Sequence, residues 1–238
     1  SFSDDFEVKT AANGQQGMEQ ALSCIPDIVV SDVMMPIMNG ITMCKMLKED
    51  VRTSHIPIIL LTAKDSLQDK EEGYQVGADS YLTKPFSATL LHSRINNLLE
   101  SRKRLAERLN TNTPHHNMDE KRALLADSLN KLDNEFLEKI NRLIEDRLSS
   151  EKIDIGYLAD NMCMSKSTLY RKMKALTGLS TNEYVRKIKM QYAERLLLEG
   201  RYNVSEIAFR VGINSVVYFR QCFKEEFGVL PSDYLKQP

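Results

Sequence analysis

The chain has 238 residues, 42% hydrophobic and 27% charged, which is ordinary globular composition with enough length for two separate cores. No apolar run approaches the roughly 18 to 20 residues of a membrane span, and the first residues lack the basic-then-apolar layout of a signal peptide. The expectation is therefore a cytoplasmic segment without membrane contact. The net charge of −1 hides an uneven distribution: residues 1–109 carry 12 basic against 15 acidic residues, whereas 166–224 carry 12 against 4. Such a basic stretch is either a solvated face or the mark of an anionic partner, the sharper reading.

Strand and helix patterns alternate through the first hundred residues. After Asp4 and Asp5, Phe6 to Thr10 is strand-like. Ile28-Val29-Val30 and Ile56 to Leu61 are short apolar runs that suit buried parallel strands. Ile41 to Leu47 reads as a helix between them. Ser66 to Val76 fits another, stopped by Gly77 in a left-handed cap, and helical pattern runs from Ser87 through Leu109. This alternation predicts a doubly wound α/β sheet, covered on both faces.

Asn110 to Asn117 is polar, holds a proline and lacks apolar period, so it reads as linker; His115 and His116 within it receive no role. Lys121 to Leu132 forms an amphipathic stretch suited either to dimerisation or to a solvated linker helix. From Asp133 onward every pattern is helical. The domains expected are 1–104, a linker over 105–133, and an all-α domain over 134–238. Four cysteines, Cys24, Cys44, Cys163 and Cys222, lie far apart with no C-x-x-C pair, and read as reduced thiols in a cytosolic protein.

The all-α part repeats itself. Leu158-Ala159 answers to Ile207-Ala208, Met162 to Val211, Leu169 to Phe219, Met173 to Phe223, Gly178 to Gly228 and Tyr184 to Tyr234, with an offset of 49 that becomes 50. Each repeat holds a short helix, a turn and a second helix, with one extra residue in the second turn. That is helix-turn-helix design. Asn182 to Glu199 is a continuous helical pattern between the two units. Cys163 occupies the turn position that Gly212 fills in the second unit, and a positive φ there costs a cysteine about 1 kcal/mol.

Residues from about 135 to 235 resemble the DNA-binding domain of the AraC family, through SKSTLYRKMKALTG (165–178) and YFRQCFKEEFG (218–228) followed by Pro231. The resemblance implies double-stranded DNA as partner, with the second helix of each unit in the major groove. The matching outward positions are Ser167, Tyr170 and Arg171, then Val216, Val217, Arg220 and Gln221. Arg171 and Arg220 suit bidentate contacts to guanine, Gln221 to adenine, and the valines thymine methyls. Lys166, Lys172, Lys174 and Lys224 are expected to neutralise phosphate.

In the first part, Asp32 ends an apolar strand, Thr62 ends the next, and Lys84 follows Tyr81-Leu82. A carboxylate, a hydroxyl and a cation at successive strand ends suit phosphoryl transfer to Asp32, with Lys84 and Thr62 on the phosphoryl oxygens. A phosphatase of the haloacid dehalogenase type needs a second acid two residues on, where Met34 stands. SDVMMPIMNG, LLTAK and YLTKPF instead resemble a response-regulator receiver domain. That resemblance implies a flavodoxin-like fold, Asp32 as phosphoacceptor, and Mg²⁺ held by Asp32 and the Met34 backbone carbonyl. It also implies a cis Lys84-Pro85 peptide, and Thr62 and Tyr81 as the pair that reports phosphorylation.

Receivers also carry a first strand that ends in two acids of the Mg²⁺ site. No such strand is found, so the chain reads as a receiver that begins inside its first helix. It should be a poor phosphoacceptor that binds no Mg²⁺ by itself and needs another chain over its exposed sheet. Receiver followed by an AraC-like domain resembles the C-terminal end of hybrid two-component sensors, anchored or not. The expected function is transcription regulation controlled by aspartyl phosphorylation, with a histidine kinase as phosphodonor and a homodimer as the working form. The alternative is a receiver that serves only as a dimerisation platform. Neither part is expected to be an enzyme.

Overall fold

The computed structural model describes residues 5–63, 76–110, 129–149 and 153–234. The chain divides into two units, Ser1–Arg108 and Leu109–Pro238.

In the first unit, three short apolar runs become strands because side chains alternate between two covered faces. These are β1 (Val29–Asp32), β2 (Ile58–Thr62) and β3 (Ser80–Thr83), paired in parallel in the order β1-β2-β3. On the central strand, Ile58 and Leu60 enter a core shared with Ala21, Met43, Cys44 and Leu47, whereas Ile59 joins Leu82 and Ile95 on the other face. That period of two is the strand signature. α1 (Gly14–Cys24) and α2 (Gly40–Glu49) supply the first core, and α3 (Ala88–Asn110) supplies Ile95 to the second. The sheet is therefore doubly wound and flavodoxin-like.

Caps explain where the helices begin. The side chain of Asn13 accepts from the Gln16 amide at 3.0 Å, and that of Asn39 from the Thr42 amide at 2.7 Å, each satisfying an N–H that has no partner within its helix. Asp79, leading into β3, accepts from Lys48 at 2.6 Å, Arg102 at 2.9 Å and the Ile58 amide at 2.9 Å. One carboxylate thus ties α2, α3 and β2 to β3.

Phe6 to Thr10 is not a strand: residues 7–10 have no regular structure, and Val8 is exposed. The reason lies in topology. In the flavodoxin-like order 2-1-3-4-5 the second strand pairs only with the first, and the described residues contain no such neighbour. The helix expected over Ser66 to Val76 lies outside the described residues apart from Val76, as do His115 and His116; Gly77 does have a positive φ, +87°.

The second unit is helical: α4 (Lys131–Glu145), α5 (Ile155–Asn161), α6 (Lys166–Thr177), α7 (Thr181–Leu198), α8 (Val204–Arg210), α9 (Val216–Phe227) and α10 (Pro231–Tyr234). Of the amphipathic stretch expected over Lys121 to Leu132, Leu129 and Asn130 are not helical. Its first eight residues lie outside the described ones, and Asn130 then starts α4 by capping the Asp133 amide at 2.8 Å.

The two repeats fold alike. α5 and α8 have 7 residues each, and α6 and α9 have 12 each. Ser165 and Ser215 cap the second helices, while Gly178 and Gly228 end them in the left-handed region. Leu158, Leu169 and Met173 are fully buried in the first repeat, as are Ala208, Phe219 and Phe223 in the second. Between the repeats runs α7, started by a capping box in which Ser180 and Glu183 exchange hydrogen bonds.

Candidate functional site

The sheet brings Asp32, Thr62 and Lys84 to one end. Asp32 pairs with Leu61, one residue before Thr62, and Thr62 pairs with Thr83, one residue before Lys84. All three strands are parallel, so these are carboxyl ends, where open α/β sheets hold their ligands. Lys84 Nζ donates to one Asp32 carboxylate oxygen, and the Met34 amide donates to the other at 3.1 Å. The Asp32 and Lys84 side chains are 35% and 43% exposed, so a reacting group can approach. Thr62 is buried, and its hydroxyl lies 3.3 Å from the Ala63 carbonyl. The Tyr81 ring packs half-buried against the first core, and Lys84-Pro85 is cis.

The loop after Asp32 is shaped by Gly40, whose amide bonds the Val33 carbonyl at 3.0 Å. A Cβ on Gly40 would stand 2.1 Å from the Asp32 carbonyl oxygen, so only glycine permits this approach. Ile37, in the same loop, has φ +68° and is 84% exposed. For a β-branched residue that is a backbone outlier, five residues after Asp32.

The Mg²⁺ expectation meets an incomplete donor set. The described residues hold no cluster of three or more His, Cys, Asp or Glu side chains. One carboxylate and the Met34 carbonyl do not make an acidic pocket for a hard dication.

In the second unit, α6 turns Ser167, Tyr170, Arg171 and Lys174 to solvent, and α9 turns out Val217, Arg220, Gln221 and Lys224. Both sets follow the spacing i, i+3, i+4, i+7, one stripe of a helix. Several are already oriented by neighbours. Ser167 Oγ lies 2.9 Å from Ser165 Oγ, Lys174 donates to the Gly178 carbonyl at 2.7 Å, and Gln221 donates to Glu225 at 3.1 Å. Val216 lies off the stripe, half-buried against the core, whereas Val217 is 78% exposed.

Residues 2–96 match the family described as response regulator receiver domain, and residues 158–237 match a helix-turn-helix domain family. The chain is 36% identical to Histidine kinase P4 of Formosa agariphila over 97% of its own length, which is 16% of that protein. A receiver is joined to an AraC-type helix-turn-helix domain. The receiver alone, over 39% of the chain, is 43% identical to Response regulator PleD of Caulobacter vibrioides, of which it spans 20%. Among solved structures, the C-terminal domain of AraT, a response regulator from Geobacillus stearothermophilus, is 30% identical over 42% of this chain and 84% of that one, with a TM-score of 0.39. The chain thus spans a fifth or less of these two curated relatives. Both modules are regulatory, and no helix among the described residues is long and apolar enough to cross a membrane.

Lys172, expected on phosphate, is instead fully buried. Its ammonium donates to Asp133 at 2.5 Å and lies 4.9 Å from the Phe136 ring centroid. Helical period accounts for this: Leu169, Lys172, Met173 and Leu176 stand at i, i+3, i+4 and i+7 on the inward face, and all four are buried. The repeat offset carries the same signal, since Lys172 aligns with Cys222, which is also buried. Lys187 and Lys189 are buried too, so three of the twelve basic residues in 166–224 serve the AraC-type fold. Sequence reasoning passes over Gly40 and Tyr218. The latter is 50% exposed on α9, and an exposed aromatic residue there has no apolar period to betray it.

Proposed function

We propose that in the full-length protein Asp32 accepts a phosphoryl group from a histidine kinase, and that this modification controls sequence-specific DNA binding by α6 and α9. Asp32 attacks the phosphorus, and the P–N bond to the donor histidine breaks. Lys84 then balances a phosphoryl oxygen in place of the carboxylate it holds in the unmodified protein, and Thr62 hydrogen-bonds another. Tyr81 responds to that rearrangement. The observation that carries this part is the Lys84 ammonium seated on Asp32, a cation already in place for charge arriving there. Mg²⁺ would add charge neutralisation at Asp32 and the Met34 carbonyl only where further acids complete the donor set that the described residues leave unfilled. Donor kinase and receiver in one polypeptide is a reading supported by the similarity to Histidine kinase P4 along 97% of the chain. Nothing in the comparisons favours a receiver that acts only as a dimerisation platform.

For DNA, α7 has 18 residues and spans about 27 Å at 1.5 Å per residue, close to one duplex turn of about 34 Å. The two reading helices then enter successive major grooves. Arg171, Arg220 and Gln221 read base edges, Ser167, Tyr170 and Val217 add contacts beside them, and Lys174 and Lys224 bind phosphate. Homodimerisation places two such pairs on the duplex, and the complex acts in the cytoplasm.

The test is a duplex selected from a random-sequence pool by the protein itself. Arg171→Ala and Arg220→Ala should each weaken that duplex by about 1 to 3 kcal/mol while leaving random DNA nearly unchanged. Equal losses on both DNAs would assign these arginines to phosphate alone.

A further inference from the structure

We infer that Lys172 and Asp133 are positioning residues that fix the rotation of the first reading helix, α6, and so decide which bases Tyr170 and Arg171 meet. The inference rests on the reading that α6 enters the major groove. Both side chains are fully buried, 2.5 Å apart, and the Asn130 side-chain amide donates to the second Asp133 oxygen at 2.8 Å. Asp133 lies in the first turn of α4 and Asn130 is that helix's cap. The pair therefore joins α6 to α4, while α6 itself packs on α5 and α7.

Stability does not require this arrangement. Desolvating two charges costs about as much as their attraction returns, and well-packed apolar residues of similar volume do equally well or better. The second helix-turn-helix has an uncharged residue there: Cys222 fills the position of Lys172 and is buried, 2% exposed, in a core with Met190, Phe219 and Phe223. What an ion pair adds is direction. An apolar residue tolerates a small rotation of its helix, whereas a buried ammonium on a carboxylate resists it, since any turn that lengthens the bond weakens a short contact between two desolvated charges. Geometry makes small rotations matter. A turn of about 10° at an outer helix radius of roughly 5 to 6 Å moves a side chain by about 1 Å. That displacement takes a base contact from about 2.9 Å to beyond the hydrogen-bond limit.

The experiment uses the whole chain, the selected duplex and a set of duplexes each altered at one base pair. In Lys172→Met/Asp133→Leu both charges go together and no unpaired ion is left; Asp133→Asn is a second variant that keeps the shape of the side chain. Expected is a fall of about tenfold in discrimination at the base pairs read by α6, with unchanged discrimination at those read by α9 and, for the double variant, melting close to the parent protein. Unchanged discrimination in both halves, in either folded variant, overturns the inference. So does a loss spread evenly over both halves and random DNA, which is what mere destabilisation gives. Arg171→Ala separates the premise: if it leaves the α6 half untouched, then α6 does not read bases, and the positioning role falls with it. Should the double variant not fold, Asp133→Asn alone decides between these outcomes on the same readout.

Discussion

Cys163 and Gly212 occupy the same place in two nearly identical turns, which makes them a matched pair for a stability experiment. Cys163 has φ +53° and Gly212 has φ +66°. The backbone bond that closes each turn agrees, Met164 bonding the Ala159 carbonyl at 3.0 Å and Ile213 the Ala208 carbonyl at 2.9 Å, although Gly212 is buried and Cys163 is exposed. Cys163 is exposed, so replacing it removes little packing. Relief of the left-handed conformation is worth about 1 to 2 kcal/mol, and glycine's larger freedom in the unfolded chain offsets about 0.4 to 1 kcal/mol of that. Cys163→Gly should thus stabilise the AraC-type domain by about 0.5 to 1 kcal/mol, and Gly212→Ala should destabilise it by at least as much. Urea unfolding followed by far-UV circular dichroism, with equal slopes for parent and variants, measures both. A destabilising Cys163→Gly would refute the reasoning, as would a neutral Gly212→Ala, because either would mean that the turn relaxes to negative φ at no cost.

Two further outcomes follow from the receiver and the thiols. Gly40→Ala should force the loop off the Asp32 carbonyl, at a cost of about 1 to 3 kcal/mol, and should slow phosphorylation of the full-length protein in a phosphotransfer assay; parent-like rates would mean that the loop does not position Asp32. Burial pushes the Cys44 thiol up to about 11, from an ordinary value of 9.0. Alkylation at neutral pH should therefore modify exposed Cys163 while sparing Cys44 and Cys222. The raised value favours the neutral thiol in the folded state, so its contribution to stability is complete below pH 9.0 and declines as pH rises towards about 11. Rapid labelling of Cys44 in the native protein would contradict this environment.

Much of the fold is legible in the sequence because its periods are clean. β2 alternates between two cores, and the repeat from Leu158 to Tyr234 keeps its spacing through two helix-turn-helix units. Asp32, Thr62 and Lys84 can be read as strand-end residues because each follows an apolar run. Failures have equally physical causes. Phe6 to Thr10 has strand composition, but a strand also needs a neighbour, and composition carries no information about partners. Lys172 is misread when residue type is weighed above position, although its helical period already points inward. Val216 sits beside the exposed stripe of α9 and packs half-buried, a difference of about 100° around a helix that a residue count alone resolves poorly. The role of Gly40 comes from a backbone contact across the loop, which leaves no trace in hydrophobic pattern.

Control through Asp32 is tested by the affinity of the full-length protein for its selected duplex before and after phosphorylation, in parent and Asp32→Asn forms. Phosphorylation should change the parent's affinity by about tenfold, within the usual range of coupling between sites, and leave Asp32→Asn unmoved. The same affinity in all four samples would contradict control of DNA binding through Asp32.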